Sequence, residues 1–154
     1  MQLKIVAVGA KAPVWVRSGV EEYAKRFPAE MPLSLIEVPA PRHQGDHKRY
    51  LRAEGEKTLA KVADNDWVVA LDERGRRARS KDLADKLGHW RMEGHNVSFV
   101  IGGADGLDDA VRQRANEVFS LSDLTLPHYL ARLVLVEAIY RAWTIHTGHP
   151  YHRA

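Results

Sequence analysis

The chain has 154 residues, of which 45% are hydrophobic and 28% charged, with a formal net charge of +3. Those proportions fit one globular domain long enough to bury a core, and so small a net charge names no partner by itself. There is no Cys, which excludes disulfides, cysteine-bound zinc and thiol nucleophiles and fits a reducing compartment.

Met1-Gln2-Leu3-Lys4-Ile5-Val6 has neither a basic leader nor a long apolar stretch, so it reads as a strand rather than a signal peptide. The first strand is expected over Leu3–Val8. Pro13 then opens a helix whose apolar face is Val16, Val20, Tyr23 and Phe27, and Pro28 stops it. A second strand covers 33–38, and Pro39, Pro41 and Gly45 punctuate the loop after it. Asp46 caps a helix running to about residue 63. The third strand is 67–71. Ser80 caps a helix with the face Leu83, Leu87 and Trp90, and Gly94 ends it. A fourth strand at 97–101, a short helix at 109–115, a fifth strand at 118–121 and a last helix at about 128–146 complete the chain. Strand and helix in alternation imply an α/β fold, a parallel sheet with helices on both faces in an α/β/α sandwich. The longest apolar run, Leu133 to Val136, is far too short to cross a bilayer, and a soluble cytoplasmic protein is expected.

The last third concentrates the chemistry. Gly102-Gly103-Ala104-Asp105-Gly106 lies between a buried strand and a helix, where glycines let the backbone approach a ligand. In open α/β sheets ligands sit beyond the carboxyl ends of the strands. The spacing matches neither the dinucleotide fingerprint nor a phosphate-binding loop. Leu71-Asp72-Glu73 ends the third strand at the same edge, where an acid could accept bonds from a ribose or lie near a cationic cofactor. Taken alone, it is more simply a turn acid. Arg74, Arg76, Arg77, Arg79 and Lys81 follow directly, five cations in eight residues. Arg42, His43, His47, Lys48, Arg49 and Arg52 form a second group. Each is a solvated face or a phosphate contact, and both beside one pocket favour RNA.

Leu133-Val134-Leu135-Val136 is apolar in every direction of a helical turn, so the last helix must be buried on most sides. A second subunit gives that burial most easily, and a homodimer through 128–146 is expected; a central core helix is the alternative. Glu137 and Arg141 are spaced to pair. The tail His149-Pro150-Tyr151-His152-Arg153 is suited to RNA recognition: Tyr151 to stack on a base, Arg153 to hold a phosphate, a His to move a proton. His146, His149 and His152 recur at steps of three, but no carboxylate completes a set and Pro150 breaks the helix, so no metal site is expected.

Together these motifs resemble the SPOUT methyltransferases, and more closely the ribosomal RNA large subunit methyltransferase H family, which N3-methylates a pseudouridine. The resemblance covers the whole chain: Val6-Ala7-Val8-Gly9, Tyr23-Ala24-Lys25-Arg26-Phe27-Pro28, Leu71-Asp72, Ile101-Gly102-Gly103, Leu124-Thr125-Leu126-Pro127-His128, Tyr140-Arg141-Ala142-Trp143 and the His149–Arg153 tail. Ala104 stands where the family often has Pro, and Gly148 where Asn is common. The resemblance implies a C-terminal deep trefoil knot, a homodimer, and S-adenosylmethionine held by three knot loops. On this chain those loops are Leu71 and Asp72; Gly102 and Gly103; and Leu121, Ser122, Asp123, Leu124, Thr125, Leu126 and Pro127. It also implies that the tail approaches the target base across the dimer interface, in the RNA of the large subunit, free or in the whole ribosome.

Methyl transfer from a sulfonium needs no enzyme nucleophile. The methyl must be held in line with N3 at about 3–3.5 Å. Adenine and ribose can bond to backbone groups of Gly103 and of 121–126. The N3 proton must leave, and His152 is expected to assist ahead of His128 and His149, with Tyr151 and Arg153 positioning the nucleotide. Two other classes compete. A non-catalytic RNA-binding or ribosome-associated module explains the basic clusters but not the glycine loop. A nucleotide-binding or hydrolytic α/β enzyme would want a metal, and no acidic cluster supplies one.

Overall fold

The computed structural model describes residues 1–42 and 45–153. His43, assigned above to the second basic group, lies outside them. Five strands, β1 (Leu3–Val8), β2 (Leu33–Val38), β3 (Trp67–Arg77), β4 (Val97–Ile101) and β5 (Glu117–Ser120), alternate with five helices. These are α1 (Val14–Ala24), α2 (His47–Leu59), α3 (Ser80–Met92), α4 (Asp109–Arg114) and α5 (His128–Thr147).

The sheet is ordered β2-β1-β4-β3-β5 and every pairing is parallel. The strand period of two divides the core. Leu3, Ile5, Ala7, Val69, Val97, Phe99 and Ile101 face the layer of α1, α3 and α5. Val6, Val8, Val68, Ala70 and Val100 face the other layer, with Leu107 and with Val111 of α4. The expected α/β/α sandwich is thus observed. No helix among the described residues is long and apolar enough to cross a membrane.

Boundaries shift where backbone bonding changes. α1 stops at Ala24, not Phe27, because Arg26 and Phe27 turn back on Tyr23 and Ala24 in tighter i−3 bonds ahead of Pro28. Phe27 nevertheless stays in the core. α2 ends at Leu59, four residues short of the expectation, for the same reason: Lys61 and Val62 bond to Thr58 and Leu59. Asp46 does cap it, accepting from the Arg49 amide at 2.8 Å. Arg79, not Ser80, takes the N-cap position of α3, its amide bonded to Asp82 Oδ2 at 2.9 Å.

The largest departure is β3, which continues past Leu71 to Arg77. Leu71 and Arg76 both register against Phe119, so residues 72–75 bulge out between them. Gly75 lies so close to the Phe119 backbone that a Cβ there would be 2.7 Å from its carbonyl carbon. The Arg-rich run has no apolar alternation to mark a strand, and backbone pairing alone carries it at this outer position. The bulge lifts 72–74 to the rim of the sheet edge where the loops after β4 and β5 also emerge.

α5 packs against both α1 and α3, and Ala131, Leu135, Val136, Ile139 and Ala142 are buried within one protomer. The core-helix alternative is therefore correct for this face, while Leu133, Val134, Ala138 and Ile145 remain half-buried. Glu137 and Arg141 pair as expected, at 2.7 Å. The helix closes on Gly148 in the left-handed conformation (φ 74°), with the His149 amide bonded to the Thr144 carbonyl. Gly is the residue that best tolerates this conformation.

Candidate functional site

The bulge of β3 and the loops after β4 and β5 enclose a cleft of about 540 Å³ at the carboxyl edge of the sheet. Its apolar wall includes Leu71, Ile101, Leu107, Leu121 and Leu126, and its rim carries Asp72, Arg74 and Arg112. The size and the mixed lining fit a nucleoside-sized ligand.

Nine of the eleven expected cofactor residues line it: Leu71, Asp72, Gly102, Gly103, Leu121, Ser122, Leu124, Thr125 and Leu126. Two do not. Asp123 lies outside and pairs with Arg77 at 2.7 Å, and Pro127 serves as the N-cap of α5. His128 joins the lining from the first turn of α5.

The backbone explains the glycines. A Cβ on Gly102 would be 2.3 Å from the Gly106 carbonyl oxygen, so no side chain fits. Gly106 itself takes φ +86°. Gly103 differs from expectation. Its amide donates to Glu54 Oε1 at 3.2 Å and its carbonyl accepts from the Gly106 amide at 3.1 Å. The amide is thus committed inside the protein, while the carbonyl keeps a second lone pair toward a ligand. In the β5–α5 loop, Ser122 Oγ accepts from the Leu124 amide and Ser120 Oγ donates to the Ser122 carbonyl, which fixes its curvature.

Asp72 is likewise occupied. Its carboxylate accepts from Arg112 at 2.8 Å and from the Arg74 amide at 2.9 Å. Burial pushes its carboxyl up, but the bonds from Arg74 and Arg112 outweigh this and hold it below the ordinary range. The rim is therefore neutralised rather than anionic. Burial, with the charge of Arg132 adding to it, holds His128 below the usual imidazole range. It is neutral at physiological pH, with a ring nitrogen able to accept a proton.

Sequence reasoning overlooked three residues here: Arg112, Arg132 and Glu54. Arg132 is fully buried and donates to the carbonyls of Val8 and Gly9 and to Glu37 Oε2, tying the ends of β1 and β2 to α5. An Arg inside the apolar stretch 130–136 was the available signal, since such a charge is buried only when paired.

The tail is elsewhere. Tyr151 bonds through its hydroxyl to Tyr23 and to Glu137, both at 3.0 Å, and its ring meets Tyr140 edge-on at 4.8 Å. Burial, with these bonds, pushes its phenol well above the ordinary range. The ring is committed to its own protomer and is not an open stacking platform. The His152 carbonyl accepts from Arg141, its Nδ1 is buried without a partner among the described residues, and Arg153 is exposed. Glu137 lies nine residues along α5 from His128, about 14 Å at 1.5 Å per residue. The structure does not bring 151–153 to the cleft of the same protomer.

A parallel sheet between two helical layers, with a cleft at its strand ends, defines the class: a three-layer α/β protein with an open site at the carboxyl edge of the sheet. Residues 1–152 match the family model described as "Predicted SPOUT methyltransferase". The chain is 50% identical over 156 residues to a protein of Hahella chejuensis (strain KCTC 2396) named ribosomal RNA large subunit methyltransferase H, covering 99% of each. It is 45% identical to a protein of the same name from Marinomonas sp. (strain MWYL1), covering 99% of this chain and all of the other. Among solved structures, "a probable methylase family protein" from Haemophilus influenzae Rd KW20 superposes with a TM-score of 0.59 over 96% of this chain and 69% of that one. At 14% identity, that is a likeness of fold alone. The chain belongs to the SPOUT methyltransferase family.

Proposed function

We propose that this protein transfers a methyl group from S-adenosylmethionine to N3 of a pseudouridine in large-subunit ribosomal RNA, on assembled ribosomes in the cytoplasm. It acts as a homodimer of one-domain chains spanning 1–154. The observation that carries this reading is the convergence of three strand-end loops on one cleft of about 540 Å³ in a chain 50% identical to a protein named for that class of reaction. The cleft suits the cofactor: the apolar walls accept adenine, and loops 71–74 and 121–126 present backbone groups around it. When bound, S-adenosylmethionine supplies an electrophilic methyl on a sulfonium, which becomes a neutral thioether as the S–CH₃ bond breaks and the N–CH₃ bond forms. His128, neutral and in the cleft wall, is the acceptor we favour for the N3 proton. His152 is the alternative, reaching in from the other copy.

Three observations support the dimer. The tail is about 14 Å along α5 from its own cleft. One strip of α5 is half-covered. Val14 and Trp15 stand 78% and 60% exposed on α1, which packs against α5. Leu135 is buried in the protomer core, so Val134→Glu is the informative interface change, expected to give folded monomers. The trefoil knot belongs to the same proposal, supported by β5 pairing outside β3 while α5 returns across β4 to pack with α1 and α3.

Calorimetric titration with S-adenosylmethionine, with ATP as control, tests the reading. Saturable binding of the former alone is expected. No binding by a folded dimer would leave the RNA-binding module, which the exposed Arg76 and Arg77 would then serve.

A further inference from the structure

The glycine loop is held from behind by a residue outside the cleft. Glu54, in the middle of α2, is 4% exposed, and its carboxylate accepts the Gly103 amide at 3.2 Å. A Cβ on Gly103 would be 3.1 Å from Glu54 Oε2, so the glycine is also what lets the carboxylate come this close. Elsewhere the buried face of α2 is small or polar, with Gly55 and Thr58, and the Thr58 hydroxyl donates back to the Glu54 carbonyl. Gly55 lies against Asp108, the N-cap of α4. Around Glu54 the titratable groups are Tyr50 on its own helix, bonded to it, and Asp105 in the glycine loop; Asp108 flanks the next residue. His128 borders the same cleft from α5.

A carboxylate in this setting weakens the fold. Burial, with Asp105 adding to it, raises its carboxyl above the ordinary value of 4.5. A raised carboxyl binds its proton more tightly folded than unfolded. Its contribution to stability therefore falls as pH rises above about 4.5 through the folded value, and the deficit persists at neutral pH. A merely structural residue at this position would be better uncharged. An energetically unfavourable group aimed at one backbone amide of a ligand loop is what a functional site retains.

We propose that Glu54 is a positioning residue for the methyl donor: by holding the Gly103 amide it sets the shape of the 102–106 loop and so the affinity of the cleft. The proposal rests on the cofactor reading above. With the anion in place the loop stays in its binding conformation. With the acceptor removed, the Gly103 amide has no partner and only a fraction of molecules present the competent loop, which weakens binding by that fraction.

Two variants separate this from a packing role. Glu54→Met keeps the shape and removes the acceptor; Glu54→Gln keeps an acceptor oxygen and removes the charge. Affinity for S-adenosylmethionine at neutral pH is expected to fall about tenfold in Glu54→Met, from the loss of a bond to a charged group, and less than about threefold in Glu54→Gln. Lowering the pH from neutral should weaken binding by the wild type and narrow the gap in melting temperature between it and Glu54→Gln. Glu54→Gln should melt higher than wild type at neutral pH and lack the acid loss of affinity that separates the two. Amide exchange across 102–107, followed without any ligand, should be faster in Glu54→Met. Unchanged affinity and unchanged exchange in Glu54→Met would overturn the proposal, as would a lower melting temperature in Glu54→Gln. If the wild type binds no S-adenosylmethionine, the cofactor reading fails, and the ligand-free exchange still decides whether Glu54 holds the loop.

Discussion

Replacing Arg132 by Met removes a fully buried, hydrogen-bonded charge while keeping most of its volume. Arg132 is 0% exposed and makes three bonds, to the Val8 carbonyl at 2.8 Å, to the Gly9 carbonyl and to Glu37 at 2.9 Å. Met would leave two carbonyls and a carboxylate without their donor. Breaking a buried pair by removing one partner costs about 3–5 kcal/mol. That is a large fraction of the roughly 5–15 kcal/mol that stabilises a typical domain. At this chain length, 1 kcal/mol moves the melting temperature by about 2–4 °C, so a fall of roughly 6–20 °C is expected. Urea unfolding followed by Trp fluorescence should show a lower midpoint with an unchanged slope. Arg132→Lys should recover only part of the loss, because an ammonium cannot reproduce the planar fork that spans two carbonyls and a carboxylate. A loss below about 1 kcal/mol in Arg132→Met would refute the assignment of these three bonds as what ties β1 and β2 to α5.

Gly102→Ala puts a methyl 2.3 Å from the Gly106 oxygen. The loop must move, and S-adenosylmethionine binding should weaken by about tenfold or more with circular dichroism unchanged. Tyr151→Phe deletes the bonds to Tyr23 and Glu137. A loss of about 1–2 kcal/mol is expected in chemical denaturation, and release of the tail should be visible as faster amide exchange over 149–153. His128 has a folded value held below 6.5. Its contribution to stability is present above about pH 6.5 and falls as pH drops through the folded value. His128→Asn should therefore flatten the fall in urea midpoint below about pH 6.5, and an equally steep fall in that variant would contradict the shift.

Most of the architecture was legible because period and punctuation coincide. The fourth strand, Val97–Ile101, is apolar but for Ser98 and fully buried, and Asp46 and Gly94 mark helix ends by chemistry that acts locally. The extension of β3 was not legible, because a bulged strand of Arg and Gly is specified by its partner Phe119 rather than by its own pattern. Asp72 and Gly102 could be placed at a ligand edge from topology, and the 121–126 loop from the family resemblance. What each does there could not, since the partners of Asp72 and Gly103 are Arg112 and Glu54, forty and forty-nine residues distant in the chain. Tyr151 was read as an exposed aromatic. Only the folded chain reveals that Tyr23, 128 residues away, already binds its hydroxyl.

The most direct measurement is transfer of labelled methyl from S-adenosylmethionine to purified ribosomes, followed by digestion of the RNA to nucleosides. The account predicts label in the large-subunit RNA, recovered as N3-methylpseudouridine, with transfer at limiting cofactor about tenfold or more slower in Gly102→Ala. Saturable cofactor binding with no label in the RNA, or label on a base other than pseudouridine, would contradict it.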